Sequence, residues 1–94
     1  MNNGAFEWDD QKAASNCAKH GVKFEPARGV INDPFAIERL DDRANYREEH
    51  FILIGMASGR LLAVVYAMRG KTIRIISARG AEPYEQRQHH EQSA

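Results

Sequence analysis

The sequence predicts one α+β domain: two N-terminal helices, an antiparallel β-meander of about four strands, and a C-terminal helix. Three observations lead there. The chain has 94 residues, enough for a single small core and no second domain. The first third carries helix start and stop signals. From Phe35 onward the apolar residues change to the period of a strand, with glycines at the turns. The domain is taken as residues 1–94, with residues 1–5 and 90–94 expected to fray.

Phe6-Glu7-Trp8 alternates apolar, polar, apolar and opens the chain as a short extended piece. Asp9 or Asp10 supplies the side-chain acceptor that satisfies free amides at a helix start. Gln11 to His20 follows as a helix, and Gly21 is its left-handed stop. A second short helix is expected from Pro26, tolerated in a first turn, to Val30 or Ile31, with Asn32-Asp33-Pro34 ending it. Phe35 to Leu40 reads as a strand with Phe35, Ile37 and Arg39 on one face. Asp41 to Arg47 is a polar connection. Three strands follow: His50 to Ala57, Leu61 to Met68 and Thr72 to Ala78. Ser58-Gly59 and Arg69-Gly70-Lys71 provide the glycines of hairpin turns. Leu61 to Tyr66 does not alternate, which predicts a central strand covered on both faces. Pro83 opens the last helix, Tyr84 to about Gln92.

Composition narrows the function classes. Apolar residues at 43% and charged residues at 28% exclude a disordered chain. The longest apolar run, Leu61 to Met68, is far too short for a membrane span, so no membrane partner is expected. From Met-Asn-Asn-Gly no signal peptide is expected, and the single Cys17 suits a reducing cytoplasm. Net charge is zero, yet residues 1–50 carry a balance of −3 (seven Lys/Arg against ten Asp/Glu) and residues 51–94 a balance of +3 (six against three). Phe51 to Ala81 holds Arg60, Arg69, Lys71, Arg74 and Arg79 and no acid. Such a block suits a polyanion, or the solvated ends of strands paired to acids from the first half.

Adjacent His89 and His90 diverge by about 100° on a helix, and one cysteine cannot build a structural zinc site, so no metal and no cofactor is expected. Nucleotide-binding and serine-hydrolase motifs are absent from the sequence. What remains is a basic and aromatic set: Lys19, His20, Lys23, Arg74, Arg79, Tyr84 and Arg87. Strand parity places Arg74 with Ile76 and Ala78, opposite Ile73 and Ile75. An inward guanidinium needs a carboxylate, here Glu38, Glu48 or Glu49, or an opening into a cleft. Arg79 ends its strand beside Gly80, where a ligand can approach the backbone. Tyr84 suits stacking on a base, donating a proton, or plugging the sheet beneath the last helix. Cleaving RNA without a metal needs proton transfers and a donor for the phosphorane's charge, and this set contains both.

Phe6-Glu7-Trp8-Asp9, Lys12, Asn16, Lys19-His20-Gly21-Val22, Phe24, Ala27 and Asp33-Pro34 resemble the opening signature of the BrnT toxin family. Arg47-x-Glu49-x-Phe51, Ile54-Gly55, Val65-Tyr66 and Ile73-Arg74-Ile75-Ile76-Ser77-Ala78-Arg79 continue the likeness, which spans about residues 6 to 88. The resemblance implies a RelE-like fold and a bacterial toxin of a type II toxin–antitoxin system that cuts RNA and inhibits translation. It implies a BrnA-like ribbon-helix-helix antitoxin, operator DNA bound only through that antitoxin, and a 2:2 complex. Carried onto this chain, it favours Arg74 and Arg79 as catalytic or phosphate-binding arginines, with Lys19 and His20 as a neighbouring basic pair; the reading of the residues themselves adds Tyr84 to the catalytic candidates. Lys23, Arg69, Lys71 and Arg87 are then the RNA-binding cations. The tail from Gly80 to Arg87 holds fewer cations than is common in that family, which predicts weaker RNA binding. A non-catalytic module that binds nucleic acid or antitoxin in operon repression is the alternative.

Overall fold

Six consecutive apolar residues, Leu61 to Tyr66, leave no polar side to turn toward water, and they run through the interior of the sheet. The computed structural model describes residues 6–41 and 48–93. Its elements are β1 (Phe6–Glu7), α1 (Asp10–His20), α2 (Phe24–Ala27), a 3-10 helix (Arg28–Asn32), β2 (Ile37–Asp41), β3 (His50–Ala57), β4 (Arg60–Arg69), β5 (Thr72–Gly80) and α3 (Pro83–Ser93). The strands form one sheet in the order β1-β5-β4-β3-β2, which leaves Leu62 to Ala67 of β4 buried. Residues 1–5 and 94, expected to fray, and 42–47 of the expected polar connection lie outside the described residues.

Each face of the sheet has its own apolar layer. On one, α1, α2 and the 3-10 helix cover Leu62, Val64, Ile75 and Ala78, with Trp8, Val22, Phe24 and Val30 between. On the other, Ile52, Ile54, Ala63 and Val65 make a smaller floor with Ile76 and Ala81 at its margin. α3 packs against β2 and β3 over that floor.

The meander β2-β3-β4-β5 is antiparallel as expected, but the sheet has five strands and is mixed. Phe6 and Glu7 pair in parallel with Ile73 and Arg74, filling backbone groups that β5 would otherwise leave open. Two alternating residues are too few to name a partner from sequence. The second helix also differs: it begins at Phe24 rather than Pro26 and tightens into 3-10 geometry to Asn32. Its buried residues Phe24, Ala27 and Val30 are three apart, the period of the tighter helix. β2 starts at Ile37 rather than Phe35, because Asp33 holds a turn there. Its carboxylate accepts from the Phe35 amide (2.9 Å) and its carbonyl from the Ala36 amide (3.1 Å).

The helix signals act as read. Asp9 Oδ1 accepts from the Lys12 amide at 3.0 Å, and Gly21 stops α1 at φ 69°. Buried Asn16 then locks α1 to the sheet. Its Nδ2 donates to the carbonyls of Ala78 (2.8 Å) and Val22 (3.0 Å), and its Oδ1 accepts from the Ala78 amide (3.1 Å). One side-chain amide thus replaces a neighbouring strand at the edge of β5. It also fixes the residue next to Arg79.

Candidate functional site

The face on which Arg79 lies depends on a bulge in β5. Val65 pairs with Ser77 and Tyr66 with Ile75, so Ile76 has no opposite residue. Simple alternation over five residues would put Arg74 and Arg79 on opposite faces. With the extra residue, Ile76 packs on the α3 floor while Ile75 and Ala78 pack under the N-terminal helices. Ala78 therefore does not share a face with Ile76, contrary to the parity reading. Arg79, beside Ala63, joins the α3 side.

Arg79 is not free at its strand end. Its Nη1 and Nη2 donate to the two oxygens of Glu85 at 2.7 and 3.0 Å, a bidentate pair. Arg39, beside Ile52 on β2, reaches the same carboxylate: its Nη2 donates to Glu85 Oε2 at 2.9 Å and to Tyr84 Oη at 2.9 Å. β2 and β5 are three strands apart, roughly 14 Å. Only long side chains lying across the floor of Ile52, Ile54, Ala63 and Val65 can meet there. Glu85 is fully buried, whereas Tyr84 is 40% exposed at the mouth. Pro83 is the first residue of α3, so Glu85 is at its third position and reaches back to accept from the Glu82 amide at 2.8 Å. One carboxylate therefore caps the helix and holds two arginines.

Electrostatics explains why it stays charged. Burial acts to raise the Glu85 carboxyl, but the bonds from Arg79 and the Glu82 amide, with the charges of Arg79 and Arg39, outweigh it and hold the group below its ordinary range. The same bond, against the cost of burial, raises Arg79 further. Two guanidiniums drawn to one carboxylate repel each other, so this pocket requires an anion between them. A second anchor lies one turn along α3, where buried His89 Nε2 meets Asp33 Oδ2 at 2.7 Å. Burial opposes the charge on Asp33, yet the amides of Met56 and Phe35 and the bond to His89 lower it overall.

The remaining sequence candidates are dispersed. Arg74 pairs with Glu7 (2.9 Å), its register neighbour on β1, instead of Glu38, Glu48 or Glu49. Arg69, bonded to Glu48 at 3.2 Å, and Lys71 flank the β4–β5 turn, at the other end of β5 from Arg79. Lys19 and His20 end α1, over the opposite face of the sheet. Lys23 and Arg60 line a common cavity with Gly21. The Arg60 guanidinium lies 3.1 Å from where a Cβ on Gly80 would sit, so the expected opening beside that glycine is occupied. Arg87 is exposed on α3.

Sequence reasoning missed Arg39 as a site residue and Glu85 altogether. Both carried a signal. Arg39 shares a strand face with Ile37, and Glu82-Pro83-x-Glu85 has the spacing of a helix cap.

A cavity of about 590 Å³ is an apolar groove lined by Trp8, Ala13, Ala14, Cys17, Ala18 and Phe24 together with Lys23 and Glu25. It lies on the α1 side of the sheet, away from the arginines, and offers little for acid–base or anion chemistry. Among the described residues no group of three or more His, Cys, Asp or Glu side chains is placed to hold a metal ion. No helix among them is long and apolar enough to cross a membrane. The model of the family described as "Ribonuclease toxin, BrnT, of type II toxin-antitoxin system" matches residues 8–85. No curated protein matches the chain.

Proposed function

Because the chain belongs to the BrnT family of ribonuclease toxins of type II toxin–antitoxin systems, we propose that it cuts RNA internally without a metal ion and so inhibits translation. The observation that carries this reading is that Arg79 and Tyr84 meet at Glu85 over an apolar floor built from β3 and β4. In the proposed reaction the ribose 2′-oxygen attacks the adjacent phosphorus and the P–O5′ bond breaks. The 2′-hydroxyl loses a proton and the leaving 5′-oxygen gains one, giving a 2′,3′-cyclic phosphate and a 5′-hydroxyl. Arg79 faces the non-bridging oxygens, where a low-polarity floor strengthens its two-pronged contact with developing charge. Exposed Tyr84 is placed to transfer a proton or to stack on a base.

The basic rim of Arg60 and Lys23 extends this end of the sheet, with Lys19 and His20 at the end of α1. Arg69, Lys71 and Arg74 hold the strand farther along, with Arg87 on α3. RNA being translated places the activity in the cytoplasm. A BrnA-like ribbon-helix-helix antitoxin is the proposed partner, in a 2:2 complex that reaches operator DNA through the antitoxin. The second reading, a non-catalytic module of operon repression, draws support from Glu85 filling the Arg79 site.

Incubating purified protein with RNA and excess chelator separates these readings. Cleavage that leaves 2′,3′-cyclic or 3′-phosphate ends supports the ribonuclease. Activity lost in chelator and restored only by a divalent ion refutes its metal-independence, and intact RNA under all conditions favours the repression module.

A further inference from the structure

Arg39 is held at Glu85 through one nitrogen. Its Nη2 donates to Glu85 Oε2 and to Tyr84 Oη, while its Nε is buried with no acceptor among the described residues. The two Glu85 oxygens meanwhile receive both Arg79 donors, the Arg39 donor, the Glu82 amide and, at 3.4 Å, the Tyr84 hydroxyl. A carboxylate offers about four lone-pair sites, so this pocket has more donors than its occupant can serve. Its donor set is cationic and planar, its floor is apolar, and its occupant is an anion with two oxygens on one centre.

We propose that Arg39 and Arg79 form one phosphodiester-binding seat, that Glu85 is its internal occupant in the closed protein, and that RNA enters by displacing Glu85. A phosphodiester presents two non-bridging oxygens much as a carboxylate does, and its bridging oxygens add acceptors within reach of Arg39 Nε. Opening requires movement of the first turn of α3, which carries both Tyr84 and Glu85. The His89–Asp33 bond anchors the next turn independently of the arginines. The identity of the ligand rests on the ribonuclease reading; the existence of an anion seat rests on the geometry alone.

The test is binding of a 2′-O-methyl RNA oligonucleotide, whose blocked 2′-oxygen prevents cleavage, to the full chain, with inorganic pyrophosphate as competitor. Glu85→Gln removes the occupant's charge and keeps its shape, and it is expected to tighten binding by about tenfold. Arg39→Ala is expected to weaken binding by about tenfold in both the wild-type and Glu85→Gln backgrounds. Unchanged affinity in a normally folded Glu85→Gln protein, or full affinity in Arg39→Ala, overturns the seat. Should Glu85→Gln fail to fold, His89→Ala loosens α3 from its other anchor. Tighter binding there supports displacement, and unchanged binding refutes it. RNA cleavage is measured in parallel. Intact RNA with the expected binding pattern overturns the ribonuclease reading alone, whereas active enzyme with Arg39 dispensable for binding overturns the seat alone.

Discussion

Replacing Asn16 by alanine tests whether one buried amide holds α1 to β5. Three hydrogen bonds are lost, and the Ala78 amide and the carbonyls of Ala78 and Val22 lose those partners. A buried polar group without a partner costs about 1–3 kcal/mol. At 8% exposure Asn16 lies near enough to the surface for water to relieve part of that. Alanine returns about 0.6 kcal/mol of helix propensity. The net loss is about 2–3 kcal/mol, which lowers the melting temperature by about 10–20 °C in a domain of this size. Urea unfolding should show a lower midpoint at an unchanged slope, and hydrogen exchange should show the Ala78 amide losing its protection. RNA cleavage should fall as well, since Ala78 precedes Arg79. A loss below about 1 kcal/mol, with Ala78 still protected, would show that packing alone fixes the end of β5.

Two further outcomes follow from α3 and from the loop it grips. Glu85 and Asp33 are both held below their ordinary values of 4.5 and 3.8, so the stability they contribute is present in full above about pH 5 and is lost as pH falls through their lowered values; an acid titration that follows α3 should show it detaching in that range, and flat stability down to pH 2 would refute the linkage. Gly55→Ala puts a Cβ 2.9 Å from Val30 Cγ1, 3.2 Å from Asp33 Oδ2 and 3.3 Å from Ala36 Cβ. Displacing three neighbours at once should cost about 1–3 kcal/mol and disturb the His89 anchor, and a thermal melt equal to wild type would show that the 3-10 segment yields freely.

Strands β3, β4 and β5 and helix α1 were legible because each carries its own periodicity and stop residues. The continuous run Leu61–Tyr66 announced a covered strand, and Gly21, Ser58-Gly59 and Gly70 marked the turns. All four of these non-helical residues have positive φ, between 52° and 75°. β1 was not legible as a strand partner, because a two-residue pairing is decided by the edge of β5, not by its own pattern. The Phe24 start of α2 was hidden by Pro26, whose ring is tolerated at several places in a first turn.

The site was legible only where residues announce themselves singly. Arg79 stood out at a strand end, but alternation alone could not say which face it takes, because the bulge at Ile76 arises from pairing with β4. The acid-free block from Phe51 to Ala81 reads as one basic surface, yet folding divides it: Arg60 and Arg79 go to one end of the sheet, and Arg69 and Lys71 to the other. The charge that matters most to Arg79 comes from outside the block, from Glu85 six residues on, which also holds Arg39 three strands away. A local count of charge therefore finds the arginine and misses its setting. Two cations anchored on β2 and β5 can share a dry floor only with an anion between them, and the first turn of α3 supplies that anion while capping itself.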